Sequence, residues 1–428
     1  MLKSLSLRAI TLSILWIGLG VLKLNDMAEN GLLLQGAIFS VLIIAGSLFE
    51  LFYHYQGDKY LLPTVQTIMV IGLVFLVRIN PSRAETQFLW ANLGMIVFYV
   101  VFLILRDYRK LGEYQYLWGM LALLLLLVTL VFGTTLNGAK SWISFGVRGF
   151  QPEELVKVAL LLFLASYLGK NKELLRFGTV QVGRISLPDI HTVGPFLFIG
   201  VIVLGLLGAQ KSLGTALVFF LLMVFIMYLV TERVLYLVAS IPLILVTGAI
   251  GYLLFGHVRV RVAAWIDPWA DPTGGSFQIA QSIFAISGGR LLGTGLGNGI
   301  GAYQIPYGDT DFIFAVIAEE LGFLGAMAVI SLFIIVVLRC FAVSVRAGDR
   351  FGQILSAGIG ILIGVEALII LAGVTKMLPL TGLPLPWVSY GGSSMVVHFM
   401  LLGILANISH HSSFVLNEIP IGKRVNAL

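Results

Sequence analysis

Leu213-Gly-Thr-Ala-Leu-Val-Phe-Phe-Leu-Leu-Met-Val-Phe-Ile-Met-Tyr-Leu-Val230 contains no charged side chain. At a helical rise of about 1.5 Å per residue, about twenty such residues cross the hydrocarbon of a bilayer. Blocks of this kind recur along the whole chain. Of its 428 residues 58% are hydrophobic and 11% are charged, less than half the charge of about 25% in an average soluble domain. No soluble fold buries so many blocks of that length. The sequence therefore encodes an all-α polytopic membrane protein.

Twelve spans are expected, near 9–24, 31–53, 61–78, 87–105, 115–133, 152–168, 192–209, 213–230, 234–255, 312–338, 352–376 and 391–409. Lys3 and Arg8 before a short apolar run imitate a signal peptide, but no small-residue cleavage site precedes Lys23, so a retained first helix is expected. With the N-terminus cytoplasmic, both termini share one side. The basic clusters Arg106-Asp-Tyr-Arg109-Lys110, Lys170 to Arg184, Arg339 to Arg350 and Lys423-Arg424 then lie inside, as positive loops do. The formal charge of +6 reflects those loops rather than affinity for nucleic acid. Cys340 is the single cysteine, which excludes disulfides and thiolate metal clusters. No internal repeat and no soluble domain is visible.

Three connections on the expected outer face stand out: residues 134–151, 256–311 and 377–390. The first and last are rich in Gly, Pro, Ser and Trp, as re-entrant segments tucked against helices are. The middle one is a large extracytoplasmic loop in a chain of otherwise short connections, so it is expected to line a site. It opens with Arg261-Val-Ala-Ala-Trp265-Ile-Asp267-Pro268-Trp269-Ala-Asp271-Pro272. Proline biases the residue before it toward extended backbone, so the two Asp-Pro steps suggest two turns aiming carboxylates at different places. Either aspartate alone could be a turn former.

Other polar residues sit where an apolar chain makes them costly. In Lys140-Ser-Trp142 and Gln151-Pro152-Glu153-Glu154-Leu-Val-Lys157, Pro152 suits a first helical turn and the glutamates favour its positive end. Glu154 and Lys157 share a face at i,i+3, as a structural ion pair or, with Lys140, as a phosphate site. Gln278, in Ser276-Phe277-Gln278-Ile-Ala-Gln281-Ser282, sits on a possible short amphipathic helix, where its amide could read sugar hydroxyls or simply face water. The run Gly293-Thr-Gly295-Leu-Gly297-Asn-Gly299 lacks the preceding strand of a dinucleotide site; neither nucleotide nor haem is expected. Asp311 could cap the next span, and Glu319-Glu320 inside that span must meet the loop, a cation or a partner group. Pro379-Leu-Thr381-Gly382-Leu-Pro384-Leu-Pro386-Trp387-Val-Ser389-Tyr390-Gly391-Gly392-Ser393-Ser394 is too rich in Pro and Gly for a continuous span. His257 and His398 are the histidines nearest the presumed site and carry no ligand spacing. The residues alone fit two classes: a transporter or flippase, or a membrane transferase acting on a lipid-tailed, sugar-like substrate. The ordered-looking outer loop favours the transferase.

In combination these motifs are specific. Gly138-Ala-Lys-Ser-Trp142, Phe150-Gln-Pro-Glu-Glu154-Leu-Val-Lys157, Trp265-Ile-Asp-Pro-Trp-Ala-Asp-Pro272, Thr310-Asp-Phe-Ile-Phe-Ala-Val-Ile-Ala-Glu-Glu-Leu-Gly322 and Thr381-Gly-Leu-Pro-Leu-Pro-Trp-Val-Ser-Tyr-Gly-Gly-Ser-Ser394 resemble, in order, the SEDS family (shape, elongation, division and sporulation), which includes RodA, FtsW and SpoVE. The resemblance implies a ten-helix core, here at residues 57–412, preceded by two additional helices within 1–56 and followed by a short cytoplasmic tail, 413–428. It implies a peptidoglycan glycosyltransferase of the bacterial cytoplasmic membrane that polymerises lipid II into a growing glycan strand on the outer face, with a class B penicillin-binding protein as partner. The family's essential aspartate maps onto Asp271, and its Glu and Lys onto Glu154 and Lys157. One general base suffices for an inverting displacement, with Lys140, Lys157 and Arg261 as candidates for the pyrophosphate and a divalent cation, magnesium or manganese, as a possible assistant. Trp142, Gln151, Asp267, Gln278, Asp311, Glu319, Glu320 and Ser389 are the remaining binding or supporting candidates. Two departures stand out: Ser141 replaces a second basic residue, and Gln210-Lys211-Ser212-Leu-Gly-Thr215 lacks the family's proline and aspartate. Ala372-Gly-Val-Thr-Lys376-Met-Leu-Pro-Leu-Thr-Gly382 resembles a variant of RodA-like members. A lipid II flippase is the rival function.

Overall fold

The computed structural model describes residues 2–418, apart from 137, 146–147, 178–179, 183–184 and 188. Asn137 and Gly146 of the first outer motif, Arg184, and the pair Lys423-Arg424 lie outside the described residues. In chain order the helices begin with α1 (Leu2–Leu24), α2 (Asn30–Phe52), α3 (Leu61–Ile79), α4 (Pro81–Ile104) and α5 (Gln115–Phe132). Then come α6 (Pro152–Lys170), α7 (Lys172–Phe177), α8 (Ile190–Ala209), α9 (Leu213–Thr231) and α10 (Leu235–Leu254). The last six are α11 (Gly256–Ile266), α12 (Phe277–Gly289), α13 (Gly301–Gln304), α14 (Ile313–Arg346), α15 (Arg350–Val374) and α16 (Gly392–Glu418).

Among the described residues, 11 helices are long and apolar enough to cross a membrane. Twelve spans were expected. The remaining one, 152–168, is α6, a helix of 19 residues whose composition sets it apart because it carries Glu153, Glu154, Lys157 and Lys170. Its polar side chains are tolerated because nearly the whole helix is buried, packed against α5, α15 and α16. Helices α3, α15 and α16 are mostly buried too, whereas α5 and α10 expose most of their apolar side chains. The former make the centre of the bundle and the latter its lipid-facing rim. The two N-terminal helices lean on α3 and α4; an Arg8–Glu50 ion pair joins α1 to α2, and Thr11 Oγ1 of α1 meets Thr67 Oγ1 of α3 at 2.8 Å. The last helix runs to Glu418, past the expected boundary at 412.

The expected re-entrant character of 134–151 is corrected by the structure. Strands β1 (Thr134–Leu136), β2 (Ala139–Phe145) and β3 (Arg148–Phe150) form an antiparallel sheet in that order, with Thr135 opposite Lys140 and Ile143 opposite Phe150. β-Branched and aromatic residues such as Thr134, Thr135, Trp142 and Ile143 suit a pleated surface, and the ladder satisfies backbone groups that a re-entrant coil would have left to its neighbours. A second hairpin, β4 (Val180–Val182) with β5 (Ile185–Leu187), lies in the connection between α7 and α8.

The long connection 256–311 is ordered, as the sequence suggested, and holds α11, α12 and α13. It repairs a break in the bundle. The span expected to run unbroken from 312 to 338 is interrupted at Gly322, with φ 67° and ψ −169°. The freed groups are taken up by the glycine-rich run: Phe323 N–H donates to Arg290 C=O at 2.8 Å and Leu324 N–H to Leu291 C=O at 3.2 Å. In return, Thr294 and Gly295 N–H donate to Glu319 and Glu320 C=O, each at 3.0 Å. A broken helix survives at membrane depth only where protein satisfies its backbone. A Cβ at Gly322 would collide with the backbone of Gly293, so the position requires glycine both for its φ and for the close approach. The segment 377–390 is non-helical and partly buried, as the sequence suggested. Near its end it approaches α3 so closely that a Cβ on Gly72 would come within 2.6 Å of Val388 Cα.

Candidate active site

The Asp-Pro pair makes two separate turns. Asp267 Oδ1 accepts the N–H of Trp269 at 3.0 Å. Asp271 Oδ2 accepts the N–H of Gly275 at 2.6 Å, while its carbonyl takes the N–H groups of Gly274 and Ser276. Both carboxylates are exposed. That of Asp271 lies at the entry to α12, and any side chain at Gly274 would collide with it. The result is an accessible carboxylate on a rigid turn. The loop is anchored further by Trp269, whose ring meets Phe284 of α12 at 5.4 Å.

Behind this loop Arg261 of α11 reaches the final outer segment, donating from Nη1 to Thr381 C=O at 2.8 Å. A Cβ on Gly382 would stand 2.9 Å from Arg261 Nη2 and 3.5 Å from Asp311 Oδ2, so guanidinium and carboxylate converge on that glycine. Burial pushes the Asp311 carboxyl up to about 6, although Arg261 pulls it the other way. Burial likewise lowers the Arg261 guanidinium, which Asp311 opposes. Ser389 holds the two segments together: its Oγ accepts from Leu385 N–H at 2.9 Å and donates to Thr310 C=O at 2.5 Å. Tyr390 N–H bonds Asp309 C=O at 2.9 Å, and Arg83 pairs with the Asp309 carboxylate at 2.7 Å.

Lys157 is buried. Its ammonium meets both oxygens of Glu154, at 2.9 and 2.8 Å, and Oε1 of Glu366 at 2.5 Å. Three protons and three partners occupy the group completely. Lys140 stands elsewhere: its Nζ bonds Val131 C=O at the carboxyl end of α5, at 3.2 Å, and its N–H bonds Gln210 C=O at 2.9 Å. The structure thus gives Lys140 and Lys157 separate partners. Trp142 packs over Gly149 within the sheet. Gln151 N–H donates to Ser393 Oγ at 3.1 Å and its amide reaches Glu153 at 3.3 Å. Gln278 is half-buried on α12.

Glu319 and Glu320 meet the loop, one of the alternatives the sequence left open. Glu319 accepts the N–H groups of Ile300 and Gly301, at 3.1 and 2.8 Å. Glu320 accepts those of Gly297 and Gly299, at 2.9 and 3.3 Å, and pairs with Arg78 Nε at 2.9 Å. Arg78 also donates to Gly299 C=O at 2.7 Å and lies 4.5 Å over the ring of Tyr303. The glycines present their amides to buried carboxylates.

Residues 59–414 match the family model for FtsW, RodA and SpoVE, described as cell cycle protein. The chain belongs to the FtsW/RodA/SpoVE family. The peptidoglycan glycosyltransferase RodA of Mycobacterium tuberculosis is 36% identical over 380 residues, covering 86% of this chain and 81% of that one. Stage V sporulation protein E of Bacillus subtilis is 32% identical over 336 residues, 77% of this chain and 88% of that protein. Among solved structures, one described as "Structural coordination of polymerization and crosslinking by a peptidoglycan synthase complex" superposes with a TM-score of 0.68 at 27% identity, covering 84% of this chain and 99% of that one. Thermus thermophilus RodA gives 0.59 at 26% identity over 84% and 98%. This is a multi-pass bacterial membrane protein.

Within this FtsW/RodA/SpoVE-family chain, sequence reasoning overlooked Arg78, Glu366 and the partners of His398. A signal was available, because an ionisable residue inside an apolar span seeks a buried partner. Glu366 sits in the middle of Ile359–Ile370, and Arg78 ends the apolar run of α3. What the sequence lacked was the identity of each partner, 242 positions away for Arg78 and Glu320.

Proposed function

We propose that this chain, a peptidoglycan glycosyltransferase, polymerises lipid II on the outer face of the cytoplasmic membrane, with both termini inside. Asp271 is the general base on the 4-hydroxyl of the acceptor sugar. That oxygen attacks the anomeric carbon of the donor, the bond to the pyrophosphate oxygen breaks, and undecaprenyl pyrophosphate departs. One displacement inverts an α linkage to β without a second carboxylate as nucleophile. The observation that carries this assignment is the Asp271 carboxylate itself: exposed, and fixed by the Gly275 amide. A base must be within reach of substrate before its proton affinity matters. Arg261, oriented by Thr381 and Asp311, is the cation we assign to the pyrophosphate. Lys157, with its three protons engaged, supports the helices beneath. We also propose a class B penicillin-binding protein as partner, since the neighbouring structure of a peptidoglycan synthase complex is the same fold.

Among the described residues no three His, Cys, Asp or Glu side chains converge on a metal position. Magnesium is held by one or two carboxylates together with substrate phosphates, so exposed Asp267 fits a cation arriving with the pyrophosphate. It would neutralise charge on the leaving group.

The test is polymerisation in detergent, where no leaflet exists. Glycan formed from purified lipid II by the purified protein with its partner requires an enzyme. No polymer there, but movement of lipid II across vesicles, would establish the flippase instead.

Asp311 adds a pH dependence. Arg261 feels the charge of the ionised Asp311 carboxylate, which is present above about pH 6 and lost as pH falls through that value. For stability the sign is opposite: a raised carboxyl favours folding below its unfolded value and loses that contribution as pH rises through about 6. Wild-type kcat/KM is therefore expected to drop below pH 6, and Asp311→Asn, facing the same Arg261 and Asp309, should lack that limb. An unchanged limb in the variant would exclude Asp311 as its source.

A further inference from the structure

Glu153 is a carboxylate that the proposed reaction does not use. It is fully buried in the first turn of α6, and among the described residues its Oε1 meets no donor. Its Oε2 is met by two buried hydroxyls of α9: Ser212 Oγ donates at 2.8 Å and Thr215 Oγ1 at 2.9 Å. The Gln151 amide adds a third contact at 3.3 Å. A buried carboxylate is costly without such donors, so these groups hold one another in place. Helix α9 has no acidic residue in its first turn, and the Ser212 hydroxyl at its N-cap bonds no amide of that helix. The hydroxyl is turned to Glu153 instead.

Between Ser212 and Thr215 lies Gly214, which packs against the final outer segment. A Cβ there would stand 2.9 Å from the Thr381 carbonyl oxygen and 3.3 Å from Thr381 Cβ. That carbonyl is the acceptor of Arg261 Nη1, at 2.8 Å. One turn of α9 therefore touches Glu153 through its hydroxyls and Thr381 through its glycine.

We infer that Glu153 is a positioning residue for Arg261: it anchors the first turn of α9, and that turn sets the Thr381 carbonyl that orients the guanidinium. This rests on the proposed place of Arg261 at the pyrophosphate. Because the anchor joins a carboxylate to a hydroxyl, its two ends can be exchanged. Glu153→Ser removes the acceptor from both α9 hydroxyls. Ser212→Asp alone sets a second carboxylate against Glu153, and like charges repel where water is scarce. The double variant has one carboxylate and one hydroxyl again, with the carboxylate at an N-cap position that aspartate suits.

The test uses purified full-length protein with its partner: wild type, both single variants, the double variant, Gly214→Ala and Arg261→Ala, the last also combined with Glu153→Ser. Two quantities are measured, the kcat of lipid II polymerisation and the affinity for undecaprenyl pyrophosphate in detergent. Each single variant at 153 or 212 is expected to lower both by about tenfold, the worth of one charge-assisted hydrogen bond. Gly214→Ala, which pushes the Thr381 backbone, should do the same with Glu153 intact. The double variant should return to within about threefold of wild type, whereas independent packing losses would add. In the Arg261→Ala background Glu153→Ser should cost less than about twofold more, because the two residues act as one.

A double variant no better than the worse single, Gly214→Ala with wild-type affinity, or a full loss from Glu153→Ser in the absence of Arg261 overturns the inference. If a single variant fails to accumulate, a double variant that accumulates and binds like wild type supports the inference, and one that does not overturns it. The same pattern of affinities in a protein that makes no glycan supports the positioning of Arg261 and counts against the polymerase reading alone.

Discussion

Asp271→Asn is expected to leave the protein folded in the membrane and to reduce lipid II polymerisation by about 10³-fold or more, within the range that positioned general bases contribute. The geometry explains why this substitution separates fold from chemistry. Asparagine keeps a side-chain oxygen that can accept the Gly275 N–H, the bond that fixes the turn at 2.6 Å, and removes only the proton acceptor. Asp267→Ala is the contrast. Its carboxylate accepts the Trp269 N–H, so alanine loosens the first turn and yields a milder defect. Gel analysis of glycan products, beside size-exclusion profiles of each variant, measures both. Substantial glycan synthesis by Asp271→Asn with the partner present would refute the assignment.

The largest effect on the structure is expected from Arg78→Met. This guanidinium pairs with fully buried Glu320, donates to Gly299 C=O and covers Tyr303. Methionine fills much of the space but leaves a buried carboxylate with only the Gly297 and Gly299 amides. Breaking a buried pair in this way costs about 3–5 kcal/mol. The loss falls on the loop that closes the break at Gly322, so the variant should melt at lower temperature and become cleavable by protease between residues 290 and 304. Arg78→Lys keeps the charge without the planar fork and should fall between the two. A Tm and protease pattern matching wild type would show that the loop is held by other means.

Much of the candidate site was legible because charge in an apolar chain is conspicuous. Glu154 and Lys157 were read as one helical face from their spacing, and they do bond. Glu319 and Glu320 were expected to meet the loop, a cation or a partner group, and they meet the loop. The sequence left open a phosphate site shared by Lys140 and Lys157. The sheet turns Lys140 toward the end of α5, while the helix draws Lys157 inward to Glu366. The region 134–151 was misread for a related reason: Gly, Ser and Trp describe a tucked segment equally well as coil or as a three-stranded sheet, and hydrogen-bond partners decide between them.

By itself the sequence determined the membrane-spanning class, the helical bundle and the family. Each follows from local facts: block length, proline and glycine positions, and motifs in fixed order. Tertiary structure alone decided that Gly322 breaks its helix and borrows partners from residues 290–295. It also decided that Arg78 neutralises Glu320, and that Glu366 meets both Lys157 and His398. These are pairings between groups far apart in the chain, and the free energy of a buried charge depends on which opposite charge the fold brings within about 3 Å of it.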